Sequence, residues 1–476
     1  MIVTALVLGP IIVGLLLYLL PKEGDAAARA IGIAVAGLAF LAAAFVPGAP
    51  DASVHWLARP FAAAFHFGFG PLSYWIVLLL AATTFGAMIA VHVRGTRSFS
   101  AQMLILLGAM NGVFLAKDLL LFALFWDLML IPVFLLMIGF GEPARGTRAR
   151  GTAAWRYLIY NMVGGLALLL ATAAFGIVHG STDVIGNPAA GVAIGEAWGL
   201  WIFAGFAFAF LIKTPVWPLH TWMPDTYAEL PPPAVAVVSA VQSKAGLYGF
   251  LVIGLPFLAP EMRAATSLIY VLGLVALVYG ALIALTQNDA KRIVAYSSLS
   301  HLGLILIAIF SFNALAIAGA AVYIIGHGLF SGALFLVLGF VEEREETRLL
   351  PRLGGLGWNN PRLAGAFMLA ALAALGLPGL AGFAGEILIL TGLYQAGLWW
   401  AALIALVPII IAAGYMLRAF QTIMNGPKAP DLPERRDLTW AEGIALAPLV
   451  IGFILLGINP GPVAMPPNGV HVVGSR

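Results

Sequence analysis

The chain has 476 residues, of which 62% are hydrophobic and only 9% charged, where a soluble globular domain carries roughly 25% charged residues. A formal net charge of +3 is too small for a nucleic-acid surface and is accounted for by the charge bias of membrane loops. No cysteine is present, which excludes disulfide frameworks, thiolate metal sites, iron–sulfur clusters and cysteine nucleophiles.

Apolar stretches long enough to cross a bilayer recur along the chain. Their positions predict spans at 2–20, 27–47, 71–92, 99–116, 118–140, 152–178, 198–227, 232–255, 264–286, 291–311, 313–340, 361–392, 397–424 and 437–458. The first stretch lacks a basic leader and a small-residue cleavage pattern, so it is expected to be a retained span. The reading is an all-α polytopic membrane protein of about fourteen transmembrane helices. An even number puts both termini on one side. Of the 24 lysines and arginines, eighteen fall in loops after odd-numbered helices, among them Lys22, Arg94, Arg145, Lys428 and Arg435. Four, Arg59, Lys117, Arg263 and Arg476, fall on the other side. Positive residues collect in cytoplasmic loops, so both termini are expected on the non-cytoplasmic side.

Two spans carry breaks. In Leu211-Ile212-Lys213-Thr214-Pro215-Val216-Trp217-Pro218-Leu219-His220, two prolines remove backbone donors and should interrupt the seventh helix just after its lysine. In Leu375-Gly376-Leu377-Pro378-Gly379-Leu380-Ala381-Gly382-Phe383-Ala384-Gly385-Glu386, the glycines and proline should break the twelfth just before a carboxylate. Broken helices in corresponding positions are the mark of an inverted-repeat transporter. The expected units are 1–98 (helices 1–3), 99–260 (helices 4–8, the first repeat), 261–428 (helices 9–13, the inverted second repeat) and 429–476 (helix 14).

The two cations left over from the loop count, Lys213 and Lys244, lie inside spans, where a lysine costs about 2.5–3.5 kcal/mol on insertion scales. Asp127, His301, His327 and Glu386 are also intramembrane, with His220 a further candidate. Acids, bases and groups that titrate near neutrality form the set a proton relay needs. Lysine suits its centre because it can lose its proton when buried, whereas arginine stays charged. Asp127 and Lys213 form the natural switch pair, although a static ion pair would use the same two residues. A histidine such as His220 serves a helix-to-helix hydrogen bond as readily as a relay.

Other charges read as ordinary. Asp118 beside Lys117, and Asp289 before Lys291 and Arg292, sit at helix boundaries as caps or interfacial groups. Glu342, Glu343, Glu345 and Glu346 with Arg344 and Arg348 read as a solvated run and a candidate docking surface. Trp399, Trp400 and Trp440 fit an interfacial belt.

Four segments resemble the antiporter-like proton-channel subunits of respiratory complex I, NADH:quinone oxidoreductase. They are Phe125-Trp126-Asp127-Leu128-Met129-Leu130-Ile131-Pro132, Lys213-Thr214-Pro215 through His220-Thr221-Trp222-Met223-Pro224-Asp225, Gln287-Asn288-Asp289-Ala290-Lys291-Arg292 through Ser300-His301, and Gly376-Leu377-Pro378 through Gly385-Glu386. Glutamate at 386, rather than lysine, is similar to the M-type branch, the chain-4 type of mitochondria. The resemblance implies an acid–lysine pair at Asp127 and Lys213, a central lysine at Lys244, bridging histidines at His301 and His327, and a proton site at Glu386. It implies proton translocation coupled to quinone reduction in partner subunits of the L type, the N type and small helical kinds. FMN, iron–sulfur clusters and quinone would be held there, with no cofactor or metal in this chain. A bacterial cytoplasmic (inner) membrane is implied. The sequence departs from the family at Asp127, usually glutamate; at Phe69-Gly70-Pro71-Leu72-Ser73, where an aspartate usually precedes Gly-Leu-Ser; and in the proline-rich Pro231-Pro232-Pro233. A Mrp-type cation/proton antiporter subunit, a subunit of a membrane-bound hydrogenase or ferredoxin-driven relative, and a non-conducting scaffold are the rival readings; Glu386 weighs against the first.

Overall fold

The structure, a computed structural model, describes residues 1–21, 24–46, 48–91, 95–141, 146–186, 196–425 and 436–464. Lys22, Arg94, Arg145, Lys428, Arg435 and Arg476 lie outside the described residues, as do 429–435 and 465–476 of the expected C-terminal unit.

Four helices open the chain: α1 (Ile2–Leu17), α2 (Asp25–Phe45), α3 (Pro71–Ile89) and α4 (Thr96–Leu115). α1 packs on α4, and α2 on both α3 and α4. The all-α expectation needs one correction: strands β1 (Ala52–His55) and β2 (Ala64–Phe67) form an antiparallel hairpin between α2 and α3. The hairpin docks through an isolated bridge from Phe67 to Ala116 at the end of α4. It escapes a hydropathy reading because it is short and lies outside the apolar stretches.

The predicted span 118–140 is two helices, α5 (Leu119–Leu128) and α6 (Leu130–Phe140). Pro132 has no N–H for the Leu128 carbonyl, and the helix divides there. Asp118 caps α5, accepting from the Leu120 and Leu121 amides at 2.8 and 3.0 Å. α7 (Gly146–His179) and α8 (Glu196–Lys213) follow. α8 ends on the lysine, as the prolines predict, and the chain resumes as α9 (Trp222–Glu229). The Trp222 indole donates to the Ile212 carbonyl at 3.0 Å, satisfying an acceptor orphaned by the break.

The span expected to be continuous at 232–255 is a chain of short pieces. These are α10 (Pro232–Ala240), a 3₁₀ turn (Gln242–Lys244), α11 (Ala245–Gly249), a π turn (Phe250–Gly254) and α12 (Leu255–Phe257). Lys244 thus stands in a distorted turn, the local geometry often found at functional positions within helices.

The second half runs through α13 (Ala259–Thr286), α14 (Ala290–Phe310), α15 (Ala314–Glu345), α16 (Pro361–Ala374), α17 (Ala381–Gln395), α18 (Trp399–Phe420) and α19 (Trp440–Ile458). The gap between α16 and α17 is the predicted second break, where Gly376 and Gly379 take φ of +70° and +92°, a region glycine enters without strain. Among the described residues, eleven helices are long and apolar enough to span a membrane, and Ile2–Leu17, Trp198–Lys213 and Pro361–Ala374 are shorter apolar helices. α15 is the axis of the molecule, packed by α3, α10, α14, α16, α17 and α19.

The charged run after residue 340 is not a solvated loop. α15 continues to Glu345, and Arg344 and Arg348 are buried. Arg344 holds Glu442 of α19 through two bonds of 2.8 Å. Arg348 reaches Asp289 at 3.0 Å, Glu342 at 3.6 Å and Glu229 at 3.8 Å, while Lys291 pairs with Glu342 at 2.9 Å. α9, α14 and α15 are thereby tied together by charges far apart in sequence. Asp289 keeps its capping role as well, accepting from the Lys291 amide at 3.0 Å.

Candidate functional site

Asp127 ends α5 and Lys213 ends α8, and both side chains turn inward. The two are electrostatic neighbours, but no direct hydrogen bond or close ion pair joins them among the described residues: neither Asp127 Oδ1 nor Lys213 Nζ has a hydrogen-bond partner. The packing explains why. Lys213 Nζ lies 4.9 Å from the centre of the Trp126 ring, a cation–π distance. That indole is held by Phe122 and Phe210 at 5.5 and 5.8 Å. Asp127 points instead to α7 and occupies the space left by Gly165, where a Cβ would fall 1.7 Å from Oδ1.

Lys244 is buried, and its ammonium donates to the Ser239 carbonyl. Its turn abuts the break in α8, since a Cβ on Gly246 would stand 2.2 Å from both the Phe210 carbonyl and Thr214 Oγ1. Next to it, Gln242 donates to the Tyr157 hydroxyl at 2.7 Å. On the other flank α10 meets α15 beside His327: a Cβ on Gly328 would be 2.6 Å from the Ala240 carbonyl. The two lysines therefore sit on adjoining pieces of distorted helix, and the second faces the histidines.

His301 on α14 and His327 on α15 are brought together, ring centroids 5.4 Å apart, with Phe330 packed on both. Lys244 is an electrostatic neighbour of each. Neither ring nitrogen of His327, nor Nδ1 of His301, bonds to the protein, which is unusual for buried polar atoms in a purely structural role. Glu386 lies on α17, buried, with Oε1 accepting a 2.7 Å bond from the Tyr323 hydroxyl. Gly376, in the break, leaves room for Oε2, which a Cβ there would approach to 2.2 Å.

His220 stands apart from this line. It borders a cleft of about 400 Å³ with Arg156, Asp225, Tyr279 and Tyr296, and its ring packs on Tyr279 at 5.3 Å. Asp225 is clasped by Arg156 and by Arg292, the latter at 2.5 Å.

A search for charged groups passes over Tyr323, Trp126 and Tyr157, which the structure places in the site. One signal was available for Tyr323: it precedes His327 by four residues and so shares its helix face. No sequence signal links Tyr157 to Gln242, because they meet across α7 and the 3₁₀ turn. Among the described residues no group of three or more histidine, aspartate or glutamate side chains could hold a metal ion.

Buried lysines, a buried carboxylate and paired histidines on broken apolar helices define an integral, multi-pass membrane protein with ionisable groups through its interior. Residues 116–412 match the sequence model of the family described as NADH:quinone oxidoreductase/Mrp antiporter, transmembrane. NADH-quinone oxidoreductase subunit M of Mycobacterium tuberculosis is 35% identical over 379 residues, covering 78% of this chain and 68% of that protein. A chain of respiratory complex I from Thermus thermophilus with bound NADH superposes with a TM-score of 0.87 at 32% identity, covering 97% of this chain and 96% of that one. A chain of the Mrp complex from Dietzia sp. shares the fold, with a TM-score of 0.83 at 21% identity over 97% of this chain and 95% of its own. This chain belongs to the NADH:quinone oxidoreductase/Mrp antiporter family, as an antiporter-like member of the subunit M group.

Proposed function

We propose that the chain is a proton-translocating subunit in the membrane arm of an NADH:quinone oxidoreductase, working beside L-type, N-type and small helical subunits. Electron transfer, with FMN, iron–sulfur clusters and quinone, belongs to partner chains. The observation that carries the reading is spatial: Lys213, Lys244, the His301–His327 pair and Glu386 occupy successive positions from one broken helix to the other, along pieces that touch. Buried ionisable groups in a lipid-embedded bundle are costly, and are retained for a pathway. The separations between them suit bridging by water.

In this reading the chain crosses the bilayer fourteen times, counting the eleven long helices and the three shorter ones, with the termini on the non-cytoplasmic side. The inverted repeats comprise 99–260 and 261–428, supported by the matching breaks after Lys213 and before Glu386. Charge changes in neighbouring subunits act on Asp127. Asp127 and Lys213 interact electrostatically without a direct hydrogen bond, an arrangement that suits a switch whose coupling can strengthen or weaken. A proton then passes by Lys213, Lys244, His301 or His327, and Glu386. His220 and the Asp225 cleft lie toward the face carrying Arg156 and Arg292, and suit uptake. A bacterial cytoplasmic membrane is the proposed location.

The test is Lys244→Met, alongside Lys213→Met, in the intact complex reconstituted into proteoliposomes. Quinone reductase assembly is expected to survive while proton translocation per NADH falls. Wild-type stoichiometry with either variant would sink the relay. The Mrp-type reading, with which the shared fold is compatible, would be revived by sodium-dependent transport in a complex lacking quinone reductase activity.

A further inference from the structure

We propose that Tyr323 is the hydroxyl bridge through which a proton passes between His301 and Glu386. The inference rests on the proton-relay reading above and supplies its last step, which ionisable groups alone leave open: no hydrogen bond joins either histidine to Glu386 among the described residues.

Three observations converge. The Tyr323 side chain is fully buried, and its hydroxyl donates to Glu386 Oε1 at 2.7 Å. Its ring packs against the His301 ring, centroids 5.7 Å apart. It is also locked against the glutamate's own helix, since a Cβ on Gly385 would stand 2.6 Å from Tyr323 Cβ. A tyrosine hydroxyl both donates and accepts, so while bonded to the carboxylate it still offers lone pairs to an N–H from the histidine side. The other tyrosine near Glu386, Tyr415, is committed elsewhere, its hydroxyl donating to Ser297 Oγ at 2.9 Å.

The step balances without a co-reactant. His301 and Tyr323 are in ring contact without a direct hydrogen bond, so an N–H bond of protonated His301 breaks as its proton passes to a bridging water, which gives up a proton to Tyr323 Oη, and the proton formerly on Oη bonds to Glu386 Oε1. Neutral imidazole and a neutral carboxylic acid result, the tyrosine is regenerated, and no electron is transferred. A purely structural tyrosine, satisfied by any buried acceptor, would pack equally well without its hydroxyl.

The experiment compares Tyr323→Phe, Glu386→Gln and the double variant in the intact complex in proteoliposomes, reading the initial rate of acidification with a pH-sensitive dye and the quinone reductase rate in detergent. Y323F is expected to slow proton translocation by about a hundredfold or more, the lower reach of a lost proton-transfer group, with the detergent rate retained. In the E386Q background it should have no further effect. Translocation at the wild-type rate in Y323F, or an equal loss in both backgrounds, overturns the bridge. Normal translocation in E386Q would instead overturn the relay reading itself. Where Y323F does not assemble, Tyr323→His and Tyr323→Met pose the same question with and without a side chain that can accept one proton and release another. Greater translocation by the former supports the bridge, and equal rates overturn it.

Discussion

Replacing Gly165 by alanine adds a carbon 1.7 Å from Asp127 Oδ1. The carboxylate must withdraw by about 1.7 Å to reach the 3.4 Å at which ordinary contact begins. Asp127 Cγ also falls within 2.7 Å of the added carbon, so the whole side chain must swing about χ1, at about 0.5–1.5 kcal/mol for an off-rotamer angle. The substitution itself favours helix α7 by about 1 kcal/mol. The two terms nearly cancel, so the variant should assemble and melt within a few degrees of wild type. Function should respond differently, since a misplacement of about 1 Å can cost on the order of a hundredfold in a positioned reaction. The expected outcome of Gly165→Ala is a normal melting profile with proton translocation in proteoliposomes reduced tenfold or more, on that same scale. In an Asp127→Asn background the loss should not recur. A variant that keeps its thermal stability and pumps like wild type would refute the argument that Asp127 acts through its position against α7.

Two further substitutions probe the frame around the relay. Gly376→Ala places a side chain at φ +70° and 2.2 Å from Glu386 Oε2; the left-handed backbone alone costs about 1–2 kcal/mol, so a lower melting temperature and impaired translocation are expected, and an unchanged melting temperature would contradict the break geometry. Arg348→Ala leaves Asp289, Glu229 and Glu342 without the guanidinium that joins them. Loss of one partner from a buried pair typically costs about 3–5 kcal/mol. Poor assembly is therefore expected on native gels, with partial recovery in Arg348→Lys, and a fully stable alanine variant would show that the network contributes little.

Much of the frame is legible residue by residue. Pro215 and Pro218 end α8 because a missing N–H acts on the turn where it occurs, and Gly376 and Gly379 open the second break because backbone freedom is likewise local. The helices follow from apolar runs of sufficient length. The interruptions at Met129 and around Lys244 are less legible. Pro132 hints at the first, whereas the 3₁₀ and π turns beside Lys244 arise where Gly246 packs tightly onto Phe210 and Thr214. Arg344 and Arg348 illustrate the same limit: in sequence they belong to a charged run, and only the arrival of Glu442, Asp289 and Glu229 from other helices makes them interior.

The sequence by itself determined that this is a cysteine-free, lipid-embedded chain with few intramembrane ionisable groups, two of which, Lys213 and Glu386, lie beside breaks in its helices, because burial cost and backbone chemistry depend on residue type and near neighbours. Which of those charges meet was decided by the tertiary structure. Asp127 packs against Gly165 while Lys213 lies by the Trp126 ring, His301 finds His327, and Tyr323 reaches Glu386, since glycine-lined contacts between helices set separations that no pattern along one helix encodes.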